Sequence, residues 1–273
     1  MSPTSPKHTH QRAARAVRSD KGQPQLTRRD LDLLRYVGEQ TACCFDQMRI
    51  WLAQHPASQP NDPTFLSASR TSAILARLQK LGLLTCRKIL ADDLKWAWCT
   101  ARGLSQIHLP CRFHEPAVAD LDHLFWVNET RTLVEASDGA RPGFRWESER
   151  LIRATRERLR ARQQREPELW IPVEYRGTHR PDALLRYRAS ADPEAPEVIC
   201  AIEAELHRKA YETWRRIFQD LVRNYDEARY YAPAEIRGAL LSALERFARE
   251  EAGQERRQRI AVYELEAALA SEE

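Results

Sequence analysis

The first third of the chain alternates apolar and polar residues with a helical period. Leu31, Leu34 and Val37 recur at three-residue steps, the spacing of one face of a helix. Ahead of them, Thr27-Arg28-Arg29-Asp30 has the form of a capping box, in which a threonine and an acidic residue three positions later satisfy each other's backbone amides. The pattern predicts a first helix that begins just after Thr27.

Two further helices follow before the pattern changes. A short one is predicted over Phe45 to Leu52. A longer one begins near Ser67 or Ser69 and ends at Gly82, since serine favours the first position of a helix and glycine the position after its end. The sequence therefore predicts three helices in succession.

The third predicted helix divides into an apolar stripe and a polar remainder. The apolar stripe consists of Ile74, Leu75, Leu78 and Leu81. On the other faces we predict the basic and hydroxyl side chains of Arg70, Thr71, Ser72, Arg77 and Lys80. These side chains are the candidate DNA contacts, because arginine, lysine, serine and threonine supply most hydrogen bonds to phosphates and base edges.

A hairpin is predicted after the third helix. Leu83 to Lys88 and Lys95 to Cys99 read as two strands, joined by a turn at Asp92-Asp93. Three helices followed by a hairpin is the order of a winged helix-turn-helix, whose third helix enters the major groove of DNA. The alternative is a small helical domain that docks another protein. Trp96 and Trp98 share one strand face, and we expect them to cover the core of this domain or its junction with the next.

The second half alternates strands and helices, which predicts an α/β domain. Helices are predicted over 115–136, 150–165, 207–227 and 233–249, and strands over 144–149, 179–185, 198–206, 228–231 and 259–264. Two of these strands carry acids: Asp182 lies on one, and Glu203 and Glu205 lie on the next. Side chains two apart in a strand project from the same face. Because carboxylates gathered on one face repel each other, they predict a site for Mg²⁺ or Mn²⁺.

Composition limits the remaining classes of function. The 273 residues suffice for two domains, and 42% hydrophobic with 30% charged residues is an ordinary balance. The six cysteines form no CxxC pair, and no phosphate-binding loop or dinucleotide motif appears. No apolar run approaches the roughly 18–20 residues of a membrane span. We therefore expect a cytoplasmic protein without a membrane partner.

The net charge of +4 is unevenly placed. Residues 1–25 are basic and rich in serine and proline, which predicts a disordered arm. A second basic stripe occupies the helix predicted over 150–165 and consists of Arg150, Arg153, Arg156, Arg158, Arg160, Arg162 and Arg165. Such stripes neutralise phosphates, although either could equally be a solubilising tail or a solvated helix face.

Four short stretches carry a resemblance to a known family: Leu26-Thr27-Arg28-Arg29-Asp30, Trp96-Ala97-Trp98-Cys99-Thr100-Ala101-Arg102-Gly103, Arg180-Pro181-Asp182-Ala183-Leu184 and Ile202-Glu203-Ala204-Glu205-Leu206. In this order they resemble the replication-relaxation family of plasmids and integrative elements. The second half resembles the PD-(D/E)XK nuclease superfamily, with Asp182 after a proline and Glu203 on the next strand. The resemblance runs from about Leu26 to Glu264.

The resemblance implies metal-dependent phosphodiester hydrolysis, with Asp182 and Glu203 holding the metal. Where that superfamily usually has a lysine two residues after the second acid, this chain has Glu205. Some branches use glutamate there, and Lys209 is a candidate for the missing cation. The catalytic candidates are therefore Asp182, Glu203, Glu205 and Lys209, and the metal candidates are the first three. An acid from the preceding helix is also usual, for which Glu129 fits by position and Glu149 is the alternative.

The sequence thus predicts an α+β/α/β chain. A disordered basic arm (1–25) precedes a winged helix-turn-helix domain (26–110) and a nuclease-like α/β domain (111–273). The expected function is double-stranded DNA binding in replication, relaxation or transfer of a mobile element, with cleavage either retained or lost. The alternatives are an active Mg²⁺- or Mn²⁺-dependent endonuclease and a transcriptional regulator without catalysis. Other relaxation or replication proteins and a second copy of the chain, bound on paired DNA half-sites, are the expected protein partners.

Overall fold

A computed structural model describes residues 25–58, 60, 62–89, 94–252 and 257–265 of the chain. Residues 1–24 of the predicted basic arm, and the predicted turn at Asp92 and Asp93, lie outside the described residues. The N-terminal unit consists of α1 (Arg28–Glu39), β1 (Cys43–Cys44), α2 (Phe45–Gln54), α3 (Ala68–Lys80), β2 (Leu84–Lys88), β3 (Lys95–Cys99) and α4 (Ala101–Gln106).

The remaining elements form the α/β unit. They are a 3-10 turn (Val118–Asp120), α5 (Leu121–Asp138), β4 (Arg145–Ser148), α6 (Glu149–Gln163), a second 3-10 turn (Val173–Tyr175), β5 (Ala183–Arg188), β6 (Glu197–Ala204), α7 (Tyr211–Asn224), β7 (Glu227–Ala232), α8 (Ala234–Phe247), a π-helical turn (Ala248–Ala252) and β8 (Ile260–Glu264). The predicted mixture of helices and strands is confirmed. None of the described helices is both long enough and apolar enough to cross a membrane.

The helix boundaries read from the sequence hold where a capping residue marks them. The Thr27 hydroxyl accepts a hydrogen bond from the Asp30 amide at 3.2 Å, and the Asp30 carboxylate accepts one from the Thr27 amide at 2.8 Å. At α3, the Ser67 side chain accepts from the amide of Arg70. Gly82 has φ +68°, a left-handed conformation that glycine adopts without strain. Both predicted caps and the predicted glycine are confirmed.

The helix predicted from Glu115 begins later than expected. Its first full turn starts at Leu121, after the 3-10 turn. Glu115 lies outside the helix and forms an exposed ion pair with Arg87, 3.1 Å away. The start was misplaced because Val118, which belonged to the expected apolar face, is exposed in the structure.

The strands of the N-terminal unit form a three-stranded sheet in the order β1-β3-β2, and both pairings are antiparallel. The sequence did not predict β1, because two residues are too few to show a period. Trp96 and Trp98 are almost fully buried, in a cluster with Leu121 of α5. The tryptophans were expected to cover either the core of the N-terminal domain or its junction with the next domain. The structure shows them at the junction.

The α/β unit is built on a five-stranded sheet in the order β4-β5-β6-β7-β8. The pairings β4–β5 and β5–β6 are antiparallel, whereas β6–β7 and β7–β8 are parallel. One face packs against α7, α8 and Ile152 of α6, and the opposite face packs against Val134 of α5. The sheet is therefore covered by helices on both faces, and side chains two apart in a strand meet the same helical layer.

The end of α1 forms part of the contact between the two units. The last carbonyls of a helix have no partner within the helix. Here the Ser148 hydroxyl donates to the Glu39 carbonyl, and the Arg150 guanidinium donates to the Gly38 carbonyl, each at 2.7 Å. The Trp146 indole donates to the Gln40 side chain at 3.2 Å. Residues of the α/β unit thus supply the C-terminal cap of a helix in the N-terminal unit.

Gly103 of α4 lies in close contact with the backbone of Leu83. A Cβ atom at this position would lie 2.0 Å from the carbonyl oxygen of Leu83, which accepts a hydrogen bond from Thr100. We expect Gly103→Ala to lower the free energy of unfolding by about 3 kcal/mol, because the backbone must shift to admit the methyl group.

The matched control is Gly238→Ala in α8, where an added Cβ meets nothing within 4 Å. This change should raise the free energy of unfolding by about 0.5–1 kcal/mol, since alanine is the better helix former. Urea unfolding of both variants measures the two effects. Equal midpoints would contradict the close approach of α4 to Leu83.

Candidate functional site

Asp182 and Glu203 meet at the end of the β5–β6 ladder. Ala183 pairs with Ile202 in the antiparallel register, so one residue further along Asp182 falls opposite Glu203. Residues directly opposite each other across an antiparallel pair project from the same face. The Asp182 carboxylate also accepts a hydrogen bond from the Ala204 amide at 2.8 Å. The structure therefore places two of the three predicted acids side by side and gives Asp182 a capping role at the strand end.

Each of these two acids bonds a histidine. One Asp182 oxygen lies 3.0 Å from Nε2 of His123, and one Glu203 oxygen lies 2.6 Å from Nε2 of His179. The hydrogen bond that the protonated imidazole donates to Asp182 raises the pKa of His123 above its ordinary value. His179 was considered from sequence, whereas His123 was missed. His123 belongs to α5, far away in sequence, and no local pattern connects it to the strands.

Burial governs the ionisation of Glu203. Its removal from water raises the pKa of Glu203 to about 7, and His179 and Lys209 oppose that shift. Burial lowers the pKa of His179, but the charge of Glu203 prevails and the pKa of this histidine is raised. Both shifts favour the protonated form of their group, so the pair holds a proton near neutral pH.

The third predicted acid has partners of its own. Glu205 follows the last residue of β6 and is buried. Its carboxylate accepts a hydrogen bond from the Trp214 indole at 3.0 Å and pairs with the Lys209 ammonium. Lys209, expected to serve as the missing cation of the site, therefore neutralises Glu205.

Tyr230 lies beneath this group of acids. It is the register partner of Glu203 on β7 and is almost fully buried. Burial raises the pKa of Tyr230 well above its usual value, and the charges of Glu203, Glu205 and Asp182 act in the same direction. Its hydroxyl has no hydrogen-bond partner among the described residues. An unpartnered hydroxyl thus lies close to three carboxylates on the buried sheet face.

The predicted metal set was tested against this arrangement. Across the described ranges, no three histidine, cysteine, aspartate or glutamate side chains stand as a group that could hold a metal ion. Asp182 and Glu203 carry the oxygen donors that Mg²⁺ prefers, but Glu205 is turned to Lys209 and Trp214. In this conformation the three predicted ligands do not fit a magnesium site, because Glu205 is already bound to Lys209 and Trp214.

Of the two candidates for the helix acid, Glu149 lies beside Asp182, where its carboxylate pairs with Arg180, and Glu129 lies elsewhere. Glu129 is buried at the unit junction, where it accepts a hydrogen bond from Gln47 at 2.8 Å. The amide of Glu149 instead donates to the Asp182 carbonyl at 2.8 Å. Its carboxylate helps to raise the pKa of His123. Glu149, Asp182 and His123 line a cavity of about 30 Å³, which has room for about one water molecule.

The structure corrects two of the predicted DNA contacts on α3. Thr71 is fully buried and cannot reach DNA, because the apolar face of the helix is wider than the predicted stripe. Arg77 is half-buried and forms an ion pair with the buried carboxylate of Asp30, so its charge is already matched. Arg70, Ser72 and Lys80 are exposed as expected.

Alanines occupy the centre of the exposed α3 surface. Ala73 and Ala76 are exposed and present only methyl groups. Arg70 and Ser72 lie near the start of the helix, and Lys80 lies at its end. A helix with a low central surface and basic ends can approach a phosphate-lined groove closely without collision.

The arginines of α6 fall into a buried set and a more exposed set, which the sequence did not distinguish. Arg150 and Arg156 are buried and support the structure. Arg156 donates to the carbonyl of His179 at 3.0 Å and so fixes the segment that carries this histidine. Arg158 and Arg160 are exposed, and Arg153 is partly buried.

The fold and site together define a mixed α/β protein with a helical N-terminal unit and a polar cluster at one end of its five-stranded sheet. A comparison with known protein families finds none that matches the chain, and a comparison with curated proteins finds no match either.

Proposed function

We propose that this chain is a double-stranded DNA-binding protein of a plasmid or integrative element, acting in replication, relaxation or transfer. The N-terminal unit is the DNA-binding part and works as a winged helix-turn-helix. The α/β unit is nuclease-like in layout and serves as a platform that does not cleave. The resemblance to the replication-relaxation family supports the biological setting, and the geometry of α3 supports the binding mode.

The surface of α3 carries the proposal. It follows two shorter helices and precedes the β2–β3 hairpin, which is the order in which a winged helix presents its recognition helix and wing. Its exposed side includes Arg70, Ser72 and Lys80, with alanines between them. In the hairpin, Arg87 and Lys88 are also exposed. Basic residues at these positions would contact phosphates on both sides of the groove.

The partners of the acids support a platform without cleavage. Asp182 is bonded to His123 and to the Ala204 amide, Glu203 to His179, and Glu205 to Lys209 and Trp214. Five groups of this chain therefore form hydrogen bonds or an ion pair with the three carboxylates. Polar networks in which each acid has its donor stabilise a buried sheet end, and this role requires no metal.

An active Mg²⁺- or Mn²⁺-dependent endonuclease is the second candidate. One observation favours it: Asp182 and Glu203 lie opposite each other, and Glu149 contacts the Asp182 backbone. These are the strand and helix positions at which nucleases of the resembling superfamily carry acids. Cleavage would require Glu205 to leave Lys209 or the site to work with the remaining acids.

One experiment separates the two candidates. Supercoiled plasmid is incubated with the protein and Mn²⁺, next to the isosteric variant Asp182→Asn/Glu203→Gln, and binding is followed by gel shift. We expect both proteins to shift the plasmid and neither to nick it. Nicking by the unaltered protein alone would establish the endonuclease. Failure of both folded proteins to bind would overturn the DNA-binding proposal itself.

A further inference from the structure

A second basic surface lies away from α3. A cavity of about 570 Å³ opens between α6 and the segment after α4. Its lining includes Arg112, Phe113, His114, Arg153, Glu157 and Arg158. The volume is within the roughly 300–1,000 Å³ of small-molecule sites. The surface is therefore large enough for a ligand of nucleotide size.

Positive charge exceeds negative charge in the lining of this cavity. Arg112, Arg153 and Arg158 have no carboxylate within ion-pair distance among the described residues, and Glu157 is the one acid in the lining. The pKa of His114 is lowered by its burial and by the charges of Arg150 and Arg153. Four arginines against one glutamate in the lining leave an excess of positive charge, which favours an anion there.

Arg150 gives the cavity a buried charge. Its side chain is about 5% exposed. Its two terminal nitrogens donate to the carbonyls of Gly38 and Arg112 at 2.7 Å, and its Nε has no partner. Burial lowers the pKa of Arg150, with Arg153 acting in the same direction. A guanidinium held among carbonyls and without a carboxylate is costly, and an anion in the adjoining cavity would offset part of that cost.

We propose that this cavity binds a nucleotide through its phosphate. The nucleotide is either free or part of a single DNA strand, since both present the same phosphate and base. Arg153 and Arg158 of α6 would hold the phosphate with charged hydrogen bonds. Phe113, whose side chain is 45% exposed, offers a ring on which a base can stack. The site goes beyond duplex binding by α3, because it lies on different elements and needs no duplex.

Cys111 provides a way to measure ligand binding in this cavity. It lines the cavity and is partly exposed, whereas the other five cysteines are buried. A thiol reagent should therefore modify Cys111 first, and a bound ligand should slow that modification. The probes are thymidine monophosphate, oligothymidylate of about a dozen nucleotides, which is a usual single-strand site size, and thymidine, which lacks the phosphate.

We expect the phosphate-bearing probes to protect Cys111 and thymidine not to protect it. Protection by the monophosphate indicates a free nucleotide as the ligand, and protection by the oligomer alone indicates a strand. If no probe protects Cys111, or thymidine protects it equally well, the proposal is wrong. Duplex is absent, so this result is independent of the α3 proposal.

Matched variants on one helix test the assignment of the arginines. Arg158→Ala should weaken binding of fluorescent oligothymidylate or of a fluorescent thymidine nucleotide about tenfold, the usual effect of losing one charged hydrogen bond. Arg160→Ala removes the same charge from an exposed position of α6 outside the cavity lining and should leave affinity unchanged. Equal losses in both variants would show that the helix attracts the ligand only by net charge and would overturn the site.

Discussion

Reversing the charges at Arg70 and Lys80 is expected to weaken the affinity for duplex DNA at least about a hundredfold. Each charged hydrogen bond to a phosphate contributes about 1.5–3 kcal/mol, so two together contribute about 3–6 kcal/mol. Glutamates at both positions would also repel the phosphates. Both side chains are exposed on α3, but Arg70 also donates a hydrogen bond to the Ser58 carbonyl at 2.7 Å. Urea unfolding of Arg70→Glu/Lys80→Glu is therefore measured beside its DNA affinity.

Salt dependence gives this prediction a second readout. Each phosphate contact contributes about 0.9 to the slope of log affinity against log salt concentration. The variant should therefore show a slope smaller by about 1.8 in fluorescence-anisotropy titrations. Arg77 is left unchanged, because its removal would strand the buried carboxylate of Asp30 and confuse a stability loss with a binding loss.

The matched control reverses two exposed arginines of the α/β unit, Arg208 and Arg223. Arg208→Glu/Arg223→Glu changes the net charge by the same amount as the α3 variant. We expect this control to reduce the affinity far less than the α3 variant does. If both double variants lost affinity to the same degree, the protein would bind DNA by overall charge and α3 would not be the recognition helix.

The second large effect is expected at the end of α5. Asp138→Asn should lower the free energy of unfolding by about 3 kcal/mol, because the buried guanidinium of Arg229 then keeps only the more distant and more exposed carboxylate of Glu227, 3.6 Å away. Arg229 donates to Asp138 at 2.8 Å, and both side chains are less than a tenth exposed. Denaturant unfolding measures the loss.

A double-mutant cycle isolates the pair. Arg229→Met removes the charge but keeps much of the side-chain volume, so Asp138→Asn/Arg229→Met should unfold at a smaller cost than the two single losses added together. Strict additivity would mean that the 2.8 Å contact contributes no coupling.

The same pair predicts how stability depends on pH. Burial opposes ionisation of Asp138, but hydrogen bonds from Arg229 and Ser137 prevail and its pKa is lowered. Because this pKa is lowered in the folded state, the ionised Asp138 carboxylate stabilises the fold fully above the ordinary aspartate pKa of about 3.9. This stabilisation is lost as the pH falls through the pKa of Asp138 in the folded protein. The stability difference between the unaltered protein and Asp138→Asn should therefore shrink below about pH 4.

Local patterns in the sequence predicted those parts of the fold that depend on neighbouring residues. The capping box at Thr27 and the end of α3 at Gly82 are fixed within a few positions. The strand period put Glu203 and Glu205 on one face and allowed a neighbouring strand to bring Asp182 beside them, and the register sets Asp182 opposite Glu203. These features need no information from distant parts of the chain.

Long-range contacts decided the remainder of the candidate site. His123 reaches Asp182 across 59 positions, and no periodicity encodes such a contact. Arg77 was expected to be free, but Asp30, 47 positions earlier, is its partner. Glu205 was expected to bind a metal ion together with Asp182 and Glu203. In the structure its carboxylate instead accepts a hydrogen bond from Trp214 and pairs with Lys209. In each case the tertiary partner, which the sequence does not reveal, determines what the side chain can do.

The cap that the α/β unit supplies to α1 has a practical consequence for any attempt to isolate the N-terminal unit. A fragment that stops near the predicted boundary at residue 110 would lose Ser148 and Arg150, the donors to the Glu39 and Gly38 carbonyls. It would also expose Trp96 and Trp98 to water. An N-terminal fragment that keeps both donors must therefore extend at least through β4 and the first turn of α6.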